Sequence, residues 1–376
     1  GNALGCGGNP QATWTATLTI TDTNTSKQGS ATFPVIQQED TLSARVNVAI
    51  DSGLWFVHTT MWRNTITVSG NPVNVGGWDS IGGACVIPPG NSYTQDCTSY
   101  GGIDANYVQA YEVNGHLESG PASDPYTDDV ARGLAQMMTF LVPTAVASKQ
   151  VTYNPAIMAD RCSDGTTPNF ATTPPTCSSG TLIQYNPGAT SCTTAPTTPC
   201  NFTFDGNSNG QLLLEGNDSG DPGYQVGMFV DAIVASGKPT GTAKAGLVAS
   251  GGLPGVYGLT YQNIVQDLVD GINYCQYGGD PDQGASNGYD AGGGWFYYCA
   301  SQGYGYYDDN SISQWNAVGL IGAERAFGIP IPSVVTDTNQ VWVTYSQDVS
   351  GAGAFSGIAD GGSLTGAFGY DEWGYE

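Results

Sequence analysis

Leu268-Val269-Asp270-Gly271-Ile272-Asn273-Tyr274-Cys275 is the stretch on which the reading of the fold turns. Its apolar positions at 268, 272 and 275 are spaced four and three apart, which places them on one face of a helix. The same pattern surrounds a glycine twice more, in Ile50-x-x-Gly53-Leu54-x-x-Val57 and in Val130-x-x-Gly133-Leu134-x-x-Met137. Between these one-faced segments lie others that are apolar nearly all round and stop at a glycine: Tyr107 to Gly115, Tyr224 to Gly237 and Gln314 to Gly328. Glycine tolerates the left-handed conformation that closes a helix. Helices with one apolar face suit an outer layer, and helices apolar all round suit an inner one. The order outer, loop, inner therefore recurs three times, and a fourth outer segment follows near Asp337 to Gln347. Repeats of this size bury their cores by stacking on neighbours.

Outside the repeat, residues 12 to 34 alternate with a period of two. Trp14, Ala16, Leu18 and Ile20 fall on one face, Thr13, Thr15, Thr17 and Thr19 on the other, and a polar turn spans Asn24 to Gly29. This predicts a β-hairpin. The chain thus divides into an N-terminal hairpin extension (1–40), helical repeats (41–348) with a Cys/Thr/Pro-rich insertion at 160–221, and a Gly/aromatic tail (349–376). Gly/aromatic loops recur at Gly76-Gly77-Trp78, Gly293-Gly294-Trp295 and Gly366-Ala367-Phe368. There glycine allows close backbone approach and the ring wedges between hairpins.

Nine Lys plus Arg stand against 33 Asp plus Glu, a formal charge of -24. Such a surface repels nucleic acid and anionic lipid headgroups, and no apolar run approaches the roughly 20 residues of a membrane span. Neither nucleic-acid binding nor membrane insertion is expected. Cysteines fall in close pairs across loop-like stretches: Cys85 with Cys97, Cys162 with Cys177, Cys192 with Cys200, and Cys275 with Cys299, leaving Cys6 over. Four local disulfides imply an oxidising compartment, hence an exported, extracellular or cell-surface protein. The chain starts without an initiator Met or a signal-like segment, as a mature exported chain would. Asn24, Asn201 and Asn217 each head an Asn-x-Ser/Thr acceptor for glycans.

Gln276 with Gly294-Trp295 after an outer segment, and Asp309-Asn310-Ser311-x-Ser313-Gln314-Trp315 opening an inner one, resemble the repeat of the terpenoid cyclase, squalene-hopene cyclase and protein prenyltransferase superfamily. The resemblance spans roughly residues 40–376 and is strong from 260 to 347. It implies a mainly α fold, an α/α-toroid of helical hairpins, here with long disulfide-stapled loops. Complete members close the ring with about five to seven hairpins; three hairpins plus an outer helix make this an incomplete toroid.

The catalytic clusters of that superfamily do not carry over. Asp128-Asp129 and Asp308-Asp309 lack the third acid of the cyclase Asp-x-Asp-Asp motif, and Asp309 reads instead as a helix cap. Asp160-Arg161-Cys162 has the spacing of the prenyltransferase zinc pair, yet His58 and His116 both precede it. Gly5-Cys6-Gly7-Gly8 lacks the glutamine of a thioester motif. Each histidine reads as an ordinary packed or surface residue.

One motif points to a ligand. Asp205-Gly206-Asn207-Ser208-Asn209-Gly210-Gln211-Leu212 has the oxygen-donor spacing of an EF-hand-type loop, which predicts calcium on Asp205, Asn207, Asn209 and Gln211. Glu215 is the expected fifth ligand although it stands one residue before the usual closing carboxylate, with Asp218 or Asp221 as substitutes for it. The sequence therefore predicts a non-enzymatic secreted structural protein that self-associates head to tail through heterologous contacts into a ring or filament. Two alternatives are a carbohydrate-active or isoprenoid-processing enzyme of toroid fold, and a monomeric surface module binding carbohydrate or protein through Tyr/Trp-rich loops.

Overall fold

A computed structural model describes residues 13–36, 41–78, 101–151, 159–162, 178, 182–184, 200–216, 222–276, 293–297, 299 and 309–346. Seven helices are described: α1 (Leu42–Thr60), α2 (Gly101–Val113), α3 (Thr127–Phe140), α4 (Pro222–Ala235), α5 (Tyr261–Cys275), α6 (Asn310–Phe327) and α7 (Ser333–Ser346). Each predicted helical segment lies within or across one of them, so the chain is mainly α. The ends follow local chemistry. Thr41 and Thr260 accept N–H bonds from Ala44 and Asn263 as N-caps, and Asp309 accepts from Ser311 as its sequence position suggested. Gly328 closes α6 in the left-handed conformation.

The strands form small antiparallel pairs. β1 (Thr13–Thr21) and β2 (Gln28–Ile36) make the predicted N-terminal hairpin, whose turn is held by Asp22 accepting from Asn24 N–H at 2.8 Å. A hairpin not read from the sequence follows α1: β3 (Trp62–Val68) and β4 (Asn71–Gly77) turn at Ser69 and Gly70, both at positive φ. Between α3 and α4, nested pairs join β5 (Leu141–Ala145) to β10 (Gln211–Glu215), β6 (Ser148–Val151) to β9 (Cys200–Thr203), and β7 (Ala159–Cys162) to β8 (Leu182–Gln184). The inserted region thus starts at Leu141, ahead of the predicted 160.

Helices α2, α4 and α6 lie side by side in a parallel row. Gly102 and Gln109 of α2 bond Gln225 and Asp231 of α4 in step, and Gly227 and Asp231 of α4 meet Gly319 and Gly322 of α6 in step. The α4–α6 crossing is a backbone contact. A Cβ on Gly227 would stand 2.2 Å from the Trp315 carbonyl oxygen, and one on Gly319 would stand 2.6 Å from the Gly227 oxygen. Of the three glycines that aligned in the sequence, Gly133 and Gly271 are similar close approaches, to Val108 and to the Leu213 carbonyl, whereas Gly53 faces open space.

Two loops repeat one bonding scheme. The Trp78 indole donates to Val57 O at 2.7 Å and the Trp295 indole to Ile272 O at 2.8 Å; each acceptor also takes the N–H of its helix C-cap, Met61 or Gln276. The two backbone N–H groups are received by the fourth residue of the next helix of the row, Asp104 or Ser313. This scheme pairs Val57 with Ile272, whereas the glycine alignment paired it with Cys275; the sequence register was off by three residues. Gln276 is buried and fully bonded. Its amide donates to Gly293 O and Val335 O at 2.9 Å each and accepts from Thr338 Oγ1 at 2.9 Å, tying α7 to the end of α5.

The layer assignment needs correction at two helices. α4 is buried nearly all round as expected, but so is α5, because β10 and the loop before it cover its outer side. α6 buries one face only and leaves Val318 and Ile321 exposed, since no helix among the described residues packs on that side. Cys275 and Cys299 form a disulfide. Of the other predicted pairs, Cys85, Cys97, Cys177 and Cys192 lie outside the described residues.

Two substitutions separate close-approach glycines from open ones. Gly227→Val is expected to destabilise the fold by at least about 2 kcal/mol in urea melts, because backbone blocks the new side chain. Gly53→Ala, within a helix and facing open space, is expected to stabilise it by roughly 0.5–1 kcal/mol.

Candidate functional site

The predicted calcium loop crosses the outer side of α5. Its shape comes from its own side chains: Asp205 accepts from Asn209 N–H at 3.0 Å and Gly210 N–H at 3.2 Å, and Asn209 Oδ1 accepts from Gln211 N–H at 2.9 Å. Ser208 and Gly210 take positive φ. Beneath the loop lies a carboxylate that the motif did not include. Asp267 of α5 is fully buried and accepts from three carboxamides: Asn207 Nδ2 at 2.6 Å, Asn209 Nδ2 at 2.9 Å and Gln211 Nε2 at 2.6 Å. Asp270, one turn on, accepts from Gly206 N–H at 2.9 Å and from Gln266 Nε2 at 3.1 Å. Gln211 also exchanges two bonds with the Gly255 backbone.

The structure therefore brings together Asp205, Asn207, Asn209 and Gln211 and adds Asp267 and Asp270. It does not bring in Glu215. That residue ends β10 opposite Leu141, four residues of extended chain beyond Gln211, or roughly 13 Å away. Among the described residues no three His, Cys, Asp or Glu side chains close to metal-ligand spacing. A cation here would draw on amide and backbone oxygens as well as carboxylates, which suits a hard ion such as calcium.

Burial dominates the electrostatics. It pushes Asp267 up to about 6 against the opposing pull of the Gln211, Asn207 and Asn209 amides, and pushes Asp270 up to about 6 against the Gly206 N–H and Gln266. Two carboxyls so close to each other and to Asp205 add to the rise.

Both histidines of the chain fall in a second cluster. His58 of α1 and His116 lie edge-on to the Tyr126 ring, at 5.8 and 4.6 Å between centroids, and Tyr126 stacks on Tyr111 at 5.0 Å. Each histidine bonds a carboxylate through Nδ1: His58 to Asp129 at 2.6 Å and His116 to Asp124 at 2.8 Å. Arg63 reaches the buried Asp129 at 2.5 Å, and Tyr111 donates to Leu54 O at 3.1 Å. These bonds fasten the C-terminal half of α1 to α2 and α3. In the sequence each histidine stands alone, and nothing in their spacing announces a shared tyrosine.

Of the acceptor asparagines, Asn24 is exposed in the hairpin turn, Asn201 lies in β9, and Asn217 falls outside the described residues. No helix among the described residues is long and apolar enough to cross a membrane. No family model, curated protein or solved structure matches the chain.

The raised carboxyls give a pH dependence in metal-free buffer. With folded values near 6 above the ordinary 3.8, the folded state holds protons that the unfolded chain releases. The stability this contributes is full below about pH 4 and is lost as pH rises through about 6. Thermal melts from pH 4 to 7 should show that loss, and Asp267→Asn combined with Asp270→Asn should flatten it.

Proposed function

We propose that this chain is a structural subunit of an extracellular assembly, joined head to tail to further copies of itself. The observation that carries this is the face of α1. Leu42, Val46, Ile50, Leu54 and Val57 form one apolar stripe at spacings of three and four. Leu54 and Val57 are buried at 5% and 9% exposure, whereas Leu42, Val46 and Ile50 stand 79%, 47% and 39% exposed. The stripe runs on beyond the body that covers its end, and the His58–Asp129–Arg63 bonds fasten it there. Phe56, beside the stripe, widens the exposed apolar area, whereas Val48 and Trp55 are exposed on the opposite side of α1.

The matching surface lies at the other end of the helical row. There a groove of about 170 Å³ runs between α6 and α7, lined by the apolar Leu320, Ile321, Ile331 and Val335 together with Glu324 and Asn339. α1 adjoins α2, the first helix of the row, and the groove lies on α6, the last. One arrangement satisfies both: α1 of one copy lies along this face of the next, with an apolar side chain of its stripe seated in the groove. Charge supports the same pairing. The chain carries -24, so two copies repel over most of their surface. α1 has one Arg and one Asp, and α6 has one Glu and one Arg, so these two surfaces meet without that penalty. A contact between different patches generates rings or filaments.

The remaining parts of the reading fit an extracellular component. The parallel row of α2, α4 and α6 with returning α3 and α5 supports an α/α-toroid-like arc, the Cys275–Cys299 bond fits an oxidising compartment, and Asn24 offers an exposed glycan acceptor. Calcium on the loop over Asp267 would relieve the repulsion among Asp205, Asp267 and Asp270 and stiffen the unit. Its addition at pH 7.5 should raise the melting temperature of the full chain, and Asp205→Ala should remove most of that rise.

Light scattering on the purified full chain tests the assembly. Species larger than 39 kDa that grow with concentration, and collapse to one subunit in Val46→Glu or Ile321→Glu with the melting temperature preserved, are the expected outcome. A concentration-independent 39 kDa particle would remove the basis for this function.

A further inference from the structure

The N-terminal hairpin has one open edge and one blunted edge. Its register sets Thr15 opposite Pro34. Proline has no N–H, so this pair cannot exchange two hydrogen bonds and belongs to the non-hydrogen-bonded set. Asp22 N–H donates to Lys27 O at 2.8 Å just beyond the last pair, which puts the even-numbered residues of β1 in the bonded set. The backbone N–H and C=O groups of Thr13, Thr15, Thr17, Thr19 and Thr21 therefore point away from β2. On the far side of β2 the corresponding row is broken at Pro34.

Among the described residues no third strand joins the hairpin, and Ala16 to Ser30 are exposed. A hairpin alone in water is marginal; a sheet that holds by itself needs three or more strands and an apolar face. Leu18 and Ile20 already supply such a face, at 53% and 65% exposure. Proteins blunt an exposed edge with charge, proline or a bulge. From Thr13 to Thr21 β1 has no charge and no proline, and its register with β2 runs without a shift. In a chain of -24 this strand is a place that a second copy can approach without repulsion.

We infer that β1 of one copy pairs edge to edge with β1 of a second copy, antiparallel about a two-fold axis at Thr17, to make a four-stranded sheet. That register uses the full length of both strands. It sets Ala16 opposite Leu18 and Thr17 opposite Thr17, so apolar meets apolar and threonine meets threonine. The sequence carries the match to both ends, since every odd position of β1 is Thr and the even positions are Trp, Ala, Leu and Ile. Such like pairs are the ones that stabilise a sheet, and a slip of one residue would set threonine against apolar side chains. The contact is isologous and distinct from the head-to-tail one, on which it rests only for its strength. One pairing of bare hairpins is marginal, whereas pairings repeated between rows of joined subunits reinforce one another and bind the rows side by side.

Mild oxidation of the full chain carrying Thr17→Cys reads the contact directly. The paired Cα atoms would stand about 5.5 Å apart, within reach of a disulfide. A 17–17 link between two chains is expected at the concentrations used for light scattering. Thr19→Cys alone should give no 19–19 link, because this register holds those residues roughly 13 Å apart. Adding Thr19→Pro to the Thr17→Cys chain should cut the link at least tenfold and leave the hairpin intact, since only an outward N–H is lost, as at Pro34. The pairing is ruled out if no 17–17 link forms, if a 19–19 link forms as readily, or if Thr19→Pro leaves the link unchanged. Larger species without the link would sink this pairing alone, and the link without larger species would sink the head-to-tail reading alone.

Discussion

The arrangement depends on one close contact, the backbone crossing of α4 and α6 at Gly227 and Gly319. With no Cβ on either side, the helices come near enough for Asn316 to donate to Gly223 O at 2.9 Å and for the interior of α4 to bury Phe229, Val230 and Ile233 completely. The row then fixes everything set upon it. α2 joins the other flank of α4 through Gln225 and Asp231, and the loops carrying Trp78 and Trp295 plug into the ends of the neighbouring helices. Packing of this kind is intolerant of volume change, because interiors are filled to crystal-like density.

A repeat built this way must end somewhere, and its ends carry unspent apolar surface. In this chain the ends differ from one another: a protruding helix face on one side and a groove on the other. That asymmetry favours a heterologous contact over a two-fold dimer. In the proposed assembly the large negative charge narrows the choice further, since near-neutral α1 and α6 are surfaces on which two copies would meet at low electrostatic cost. The acidic loop site over Asp267 lies on α5, where a bound cation would lower the self-repulsion of each subunit.

Much of this was legible in the sequence, for a physical reason. Helix periodicity and glycine stops are local signals, so α1 to α7 and the hairpin β1–β2 could be located from runs such as Leu268 to Cys275 or Trp14 to Ile20. Burial is not local. Asp267 and Asp270 fall off the apolar face made by 268, 272 and 275, and it is the loop at 205–211, some 60 residues away, that covers them. The calcium motif likewise suggested closure by Glu215, nearby in sequence, while the carboxylates beneath the loop come from another element. β3–β4 went unread although Ser69-Gly70 is a turn signal, because Trp62 to Val68 lacks a clean alternation of apolar and polar residues.

The central claim is that α1 of one copy lies along the α6–α7 face of another, and mixed cross-linking tests it most directly. Chains carrying Val46→Cys are mixed with chains carrying Ile321→Cys, oxidised mildly, and the joined peptides identified by mass spectrometry. The account predicts a 46–321 disulfide in the mixture and no 46–46 or 321–321 disulfide in either variant alone. A 46–46 link between identical chains, or no link between 46 and 321 at concentrations where larger species form, would contradict it.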